Sequence, residues 1–360
     1  MTATTDSLLS RTAALIDVAS VSRDESRLAS IVAAELAEIP GLETVQIGDN
    51  VIARSVGLGS RRVLLAGHLD TVPAAGNERA ALDGDVLRGV GSADMKGGLA
   101  VMLALARSAH VRDVDTTYVF YAREEIARTE SGLLEIEPKD PTLLSCDTAI
   151  ILEPTGAVVE AGCQGSLRIE ITLRGVRAHS ARPWTGDNAI HRASPLIDRI
   201  AHVAEYRPVI DGCEFRESLQ VVGISGGGLG NVVPDEVKML VNYRFAPDKT
   251  SSEAAAEIER RLGDLLDSSK GDRFDVLDAA PSAPPRLTDE VLKSLVAGSG
   301  GEPRAKLGWT DVAFFTERAV PAANFGPGDP LLAHRADEFV TGAELARAFQ
   351  VLDTLLAGLS

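Results

Sequence analysis

Residues 67–73 read GHLDTVP, which sets His68 and Asp70 two positions apart at the end of the apolar run Val63-Leu64-Leu65-Ala66. An imidazole that binds a metal usually donates its other N–H to a carboxylate or carbonyl, and Asp70 is spaced to be that orienting group. Alone, HxD is a short pattern that ends many strands without doing chemistry. A glycine-rich loop follows, Arg88-Gly89-Val90-Gly91-Ser92-Ala93-Asp94-Met95-Lys96-Gly97-Gly98. It lacks the GxxxxGK[ST] spacing of a phosphate cradle, and its central Asp94 would repel phosphate and attract a cation. Next, Val119-Phe120-Tyr121-Ala122-Arg123-Glu124-Glu125 places adjacent carboxylates after another apolar run, where their mutual repulsion calls for a compensating positive charge. Glu153 closes Ala149–Leu152, and Ala333-His334-Arg335 supplies another histidine in a turn-rich segment. Nitrogen and oxygen donors without cysteine suit Zn²⁺ held for catalysis, with a coordination position open to water.

Alternating elements must position these groups. Arg27 to Leu36 reads as a helix, Val63 to Ala66 as a strand, Gly97 to Ala109 as a helix, and Thr117 to Ala122 and Thr148 to Leu152 as strands. Such alternation predicts an α/β domain with a largely parallel sheet, whose chemistry sits in loops beyond the carboxyl ends of its strands. At about residue 165 the period changes. Ser166 to Arg174 alternates apolar Leu167, Ile169, Ile171 and Leu173 with polar residues, the signature of a sheet with one wet face. A helix over Asn188–Val203, strands over Leu219–Ile224 and Val237–Phe245, and a helix over Ser252–Leu266 complete an inserted α+β, ferredoxin-like unit of about 115 residues. The Pro-rich stretch Ala280–Pro285 reads as the hinge returning the chain to the first domain. The expected division is therefore 1–165 with 280–360, and 166–279.

Bulk properties exclude several classes. At 360 residues the chain exceeds what one core usually holds, and 45% hydrophobic with 24% charged residues is ordinary globular composition. A net charge of -16 argues against nucleic acid or an anionic membrane as partner. Cys146, Cys163 and Cys213 show no paired spacing, which suits a reducing compartment. Asp6, Arg11 and Asp17 interrupt the amphipathic N-terminal helix around Leu9, Ala13 and Ile16, so no signal peptide is expected there, nor any membrane span elsewhere. The expected location is the cytoplasm.

The order GHLDTVP, Asp94-Met95-Lys96-Gly97-Gly98 and Glu124-Glu125 resembles the dinuclear zinc aminoacylases and carboxypeptidases across essentially the whole chain. That resemblance implies a zinc-peptidase-like catalytic domain, an inserted dimerisation domain, and two Zn²⁺ per subunit, with Co²⁺ as a possible substitute. It implies that His68 and Glu153 bind one ion, Glu125 and His334 the other, and that Asp94 bridges them. Asp70 would orient His68, and Glu124 would be the general base. In Gly175-Val176-Arg177-Ala178-His179-Ser180, the resemblance makes His179 the group that reaches into the partner subunit's site to stabilise the oxyanion. It implies that Asn231, Arg244 and Thr310 bind the substrate, Arg244 suiting a carboxylate.

Within the family, Asn188-Ala189-Ile190-His191-Arg192-Ala193-Ser194-Pro195 and Phe325-Gly326-Pro327-Gly328 through His334 look most like the branch that hydrolyses N-succinyl-LL-2,6-diaminopimelate to succinate and LL-diaminopimelate, in lysine and cell-wall precursor synthesis. Better-known members of that branch carry arginines where this chain has Cys163-Gln164, and Gly-Gly-Thr-Ser-Asp where it has Leu307-Gly308-Trp309-Thr310-Asp311. Arg182, on the same loop as His179, is the candidate replacement charge. An acetylornithine deacetylase, a dipeptidase, or a non-catalytic amino-acid binder on the same fold are the competing readings.

Overall fold

A computed structural model describes residues 4–55, 59, 61–107 and 114–359. The chain forms two compact units: Met1–Gly162 with Pro285–Ala305 and Asp311–Ser360, and Cys163–Pro284 with Lys306–Thr310.

The first unit is built on an eight-stranded sheet ordered Leu42–Ile47, Asn50–Ser55, Asp115–Tyr121, Arg62–His68, Thr148–Ile151, Ala322–Asn324, Glu160–Ala161, Arg304–Ala305. Its centre is parallel: Arg62–His68 lies between Asp115–Tyr121 and Thr148–Ile151, and Ala322–Asn324 pairs with the latter. Val63, Leu64, Leu65 and Ala66 are fully buried, as expected of a parallel strand covered on both faces. The margin departs from the expected parallel pattern, because the hairpin Leu42–Ile47/Asn50–Ser55 adds antiparallel strands. The helix Gly97–Ala106 is buried nearly all round and packs against helices Thr5–Ile16 and Gly342–Gly358. Ser108 and Ala109, included in the helix expected from sequence, lie outside the described residues. A side chain at Gly98 would sit 2.4 Å from the Leu152 carbonyl oxygen, so glycine there lets the helix approach the end of a central strand.

Register aligns the strand ends. His68 is opposite Tyr121, and Ala66 and Asn324 are both opposite Ile151. The loops that leave these strands therefore start from one rim, the usual place for a site in an open α/β sheet.

The second unit has a four-stranded antiparallel sheet ordered Ser218–Gly226, Glu236–Phe245, Gly165–Arg174, Arg273–Ala280. Residues of helices Ala189–Ala201 and Ser251–Leu262 share one core with Leu167, Ile169, Ile171, Val237, Met239 and Val241. The segment Lys306–Thr310 joins this unit without any local pattern announcing it. Lys306 accepts the Gln164 N–H at 3.2 Å, and the Trp309 indole donates to the Pro281 carbonyl at 3.1 Å.

A buried ion pair ties this unit together. Asp272 accepts from Arg192 at 2.9 and 2.5 Å and from the Arg174 and Asp267 N–H groups at 2.8 Å each. Burial opposes its charge, but Arg192 and the two N–H groups outweigh it and hold the carboxyl below its usual range. The folded pKa is thus the lower one, so the stabilisation is present above the unfolded value of about 4 and is lost as pH falls through the folded value. Asp272→Asn, which leaves Arg192 without its counter-charge, is expected to cost about 3 kcal/mol near neutral pH. The deficit, read from urea midpoints, should narrow in acid. No helix among the described residues is long and apolar enough to cross a membrane.

Candidate metal centre

His68 is the last residue of its strand and only 1% exposed. Its Nδ1 lies 2.9 Å from the Asp70 backbone carbonyl oxygen, whereas the Asp70 carboxylate is 3.6 Å away. The carbonyl fixes the proton on Nδ1 and leaves the Nε2 lone pair free to bind a metal. Nε2 faces Asp94 Oδ1 at 3.1 Å and Glu153 Oε1 at 3.9 Å. Burial lowers the proton affinity of this imidazole, but Asp70 and Asp94 more than reverse that.

The Asp70 carboxylate has other work. It accepts the Ser22 hydroxyl at 2.7 Å and the backbone N–H groups of Glu124 and Glu125 at 3.0 Å each. The sequence expectation was an orienter of His68; the geometry adds a clamp on the loop carrying the paired glutamates. Glu25 holds the same loop one residue earlier, accepting the Arg123 N–H at 3.1 Å, where Arg123 adopts a positive φ of 62°.

Asp94 lies in an irregular turn, Ser92–Lys96, with φ -119° and ψ 90°. Its two oxygens diverge: Oδ1 faces His68, and Oδ2 faces His334 Nε2 at 3.5 Å. His334, in a turn at φ 65°, also meets Glu125 Oε1 at 2.9 Å. These contacts with Asp94 and Glu125 lift the His334 pKa to about 10. His68, Asp94 and Glu153 form one group whose donor atoms lie within 4.8 Å of one another, and Asp94, Glu125 and His334 form another. A third grouping, His68 with Glu124 and Glu125, overlaps both.

Glu124 sits among like charges. Desolvation, then repulsion from Glu153, Glu125 and Asp311, raises its pKa well above the usual carboxylate range, with His68 opposing. Asp311, beside the buried Tyr121, is itself pushed up to about 6, chiefly by burial. Carboxylates this crowded are stable as anions only beside positive charge. The donors and their spacing therefore fit two divalent cations sharing Asp94, with His68 and Glu153 on one side and Glu125 and His334 on the other.

The remaining expected residues belong to the second unit, where they separate into two places. Ala178–His179 pairs with Val232–Val233, and the Ser180 N–H donates to the Asn231 carbonyl at 2.9 Å. His179, Arg182 and Asn231 are thereby brought together, all exposed. His179 Nδ1 accepts the Ala181 N–H at 3.0 Å, which puts the proton of a neutral imidazole on Nε2. Arg244 lies at the other end of Glu236–Phe245, opposite Ser166, about 27 Å along the strand at 3.4 Å per residue. No carboxylate among the described residues is in ion-pair range of Arg244, and burial lowers its pKa. Thr310 accepts from the Cys163 thiol at 3.7 Å through its carbonyl. The hydroxyl of Thr310 and both side-chain polar atoms of Gln164 are buried without a hydrogen-bond partner.

Sequence reasoning missed Ser22, Glu25 and Asp311 as parts of this architecture. Ser22 and Glu25 act on segments distant in the chain, through a carboxylate or backbone N–H groups, and no spacing rule marks such contacts.

Comparison with known proteins gives the family. The model for peptidase family M20/M25/M40 matches residues 64–358. A Mycobacterium tuberculosis protein provisionally named as the succinyl-diaminopimelate desuccinylase DapE is 47% identical over 348 residues, covering 96% of this chain and 97% of the relative. The Corynebacterium glutamicum succinyl-diaminopimelate desuccinylase is 43% identical over 332 residues, 90% of this chain and 89% of its own. Among solved structures, a Staphylococcus aureus tripeptidase superposes with TM-score 0.80 at 18% identity, covering 99% of each chain, a likeness of fold.

Proposed function

This chain belongs to peptidase family M20/M25/M40, and from that premise we propose that it hydrolyses N-succinyl-LL-2,6-diaminopimelate to succinate and LL-2,6-diaminopimelate at a dinuclear zinc centre. It is a metal-dependent hydrolase of that family. The substrate reading is supported by 43% identity to the Corynebacterium desuccinylase over 90% of this chain. The observation that carries the reaction is Asp94, whose two oxygens face two different histidines.

In this reading His68 and Glu153 would hold one ion, Glu125 and His334 the other, and Asp94 would serve both. Zinc bound there supplies Lewis acidity toward the amide carbonyl and lowers the pKa of water toward neutrality. Glu124 takes a proton from the attacking water and returns it to the departing amine, the double role of a general base and then acid. Asp70 keeps that carboxylate in place by holding the Glu124 and Glu125 backbone. The first unit is the catalytic domain and the second the dimerisation domain, with boundaries that move from the expected 1–165, 166–279 and 280–360 to Gly162/Cys163 and Pro284/Pro285, and with Lys306–Thr310 in the second. The partner's His179 donates its Nε2 proton to the developing oxyanion, as its Nδ1 contact allows. Arg244 and Thr310 recognise the substrate's polar ends, and Asn231 and Arg182, which lie beside His179, act with it from the partner subunit, Arg182 supplying a further positive charge for the substrate's carboxylates.

The test compares zinc-loaded protein on N-succinyl-LL-diaminopimelate and N-acetylornithine at equal concentration. A preference of about 100-fold for the first, about 2.7 kcal/mol in transition-state binding, is expected. Comparable or reversed rates would discard the substrate and retain the metal site. Arg182→Ala should raise KM for the succinylated substrate by roughly 10-fold with kcat little changed, about the worth of a charge-assisted contact. An unchanged KM removes Arg182 from the pocket.

A further inference from the structure

We propose that Glu338 is a positioning residue of the metal centre, setting the distance between Asp94 and His334 by locking their two loops together; the inference rests on reading those residues as ligands. Glu338 is 1% exposed and makes no ion pair among the described residues. Its carboxylate instead accepts the Gly91 N–H at 3.1 Å, the Ala93 N–H at 2.8 Å and the Asp94 N–H at 3.0 Å. All belong to the loop that presents Asp94, and the last belongs to Asp94 itself.

Glu338 lies four residues beyond His334, and its backbone is engaged on both sides. Its own N–H donates to the Arg335 carbonyl at 3.2 Å, and its carbonyl accepts the Gly89 N–H at 3.3 Å. Asn77 adds a parallel tie, donating to the Arg335 carbonyl at 3.2 Å while its own carbonyl accepts the Val90 N–H at 2.8 Å. The strand Phe339–Thr341 continues the attachment by pairing with Val86–Arg88. The turn bearing His334 is thus sewn to the loop bearing Asp94, with Glu338 at the seam.

Gly91 makes the close approach possible. It adopts φ 76°, and a Cβ there would lie 2.7 Å from the Thr71 side chain. In this left-handed conformation its N–H turns toward Glu338 beside those of Ala93 and Asp94, forming a concave set of donors that a carboxylate fills. Neither Asp94 nor His334 sits in regular secondary structure. Helix or strand geometry therefore does not set the distance between them, and the carboxylate bridge does. Groups that orient metal ligands typically contribute 10–100-fold to metal affinity.

The substitution to test is Glu338→Gln, which keeps the shape but replaces one acceptor oxygen with an amide NH₂ facing N–H donors. Zinc binding is titrated against a competing chelator, the visible spectrum of the Co²⁺-loaded protein is recorded, and the Tm of the chelator-treated protein is measured. Asp272→Asn, in the other unit, serves as the control for general destabilisation. The expected result is a 10–100-fold weakening of one of two zinc ions and an altered Co²⁺ spectrum, with Asp272→Asn changing neither. Glu338→Asp, which keeps the charge on a shorter arm, should fall between wild type and Glu338→Gln, and it carries the test if the glutamine variant does not fold. A lowered Tm with both zinc affinities and the Co²⁺ spectrum unchanged would overturn the proposal. Wild-type protein that binds two ions but hydrolyses neither test substrate would sink the substrate reading and leave this one standing.

Discussion

Glu124→Gln should lower kcat on the preferred substrate by roughly 10³–10⁴-fold while the protein still binds two zinc ions, equivalent to about 4–5.5 kcal/mol of transition-state stabilisation. The glutamine side chain has the same shape and cannot take up a proton at neutral pH. The backbone N–H at this position donates to Asp70 at 3.0 Å, and the neighbouring Glu125 N–H does the same, so the substitution leaves the loop's anchor intact. KM should therefore change little, because the lost step is proton transfer. Metal content by elemental analysis, set beside steady-state kinetics, separates the possibilities. A variant that keeps more than about a tenth of wild-type kcat would remove Glu124 as the base. One that loses its metal would make Glu124 a ligand, as its grouping with His68 and Glu125 permits.

Asp94→Ala should be still more damaging, because one side chain serves both halves of the centre. Asp94 Oδ1 lies 3.1 Å from His68 and Oδ2 3.5 Å from His334, so alanine removes a donor from each group at once. Affinity for each ion is expected to fall by at least about 100-fold, since even groups that only orient a ligand are worth 10–100-fold. Hydrolysis should drop to background. Zinc added to wild-type protein at 100 times its Kd should stabilise it by about 2.7 kcal/mol, and that rise in Tm should largely vanish in the variant. His68→Ala and His334→Ala should each weaken chiefly one ion. If Asp94→Ala instead keeps two tightly bound zincs, the shared-carboxylate arrangement is wrong.

The local sequence determined a good deal. The apolar run Val63–Ala66 reads as a buried strand with His68 just beyond its end; the structure extends that strand to Arg62–His68 and makes His68 its last residue. The alternation of Leu167, Ile169, Ile171 and Leu173 specified a sheet with one wet face, and those residues form its core. Asp94 and the Glu124-Glu125 pair were legible because carboxylates beside glycines and after apolar runs are conspicuous in the chain. These features are local, with periods of two or four residues, and a sequence displays them directly.

Tertiary structure decided what each group touches. Asp70 is two residues from His68, yet its carboxylate is spent on N–H groups of Glu124 and Glu125, while its backbone carbonyl does the orienting. Lys306–Thr310 packs with the second unit through a backbone bond to Gln164 and an indole bond to Pro281. Glu338 reaches the Asp94 loop more than two hundred residues earlier in the chain. Each of these contacts uses a backbone N–H or C=O; every residue carries the carbonyl, and every residue but proline the N–H, in the same form. Side-chain identity therefore leaves no mark of the pairing, and only the path of the folded chain selects which backbone group meets which carboxylate.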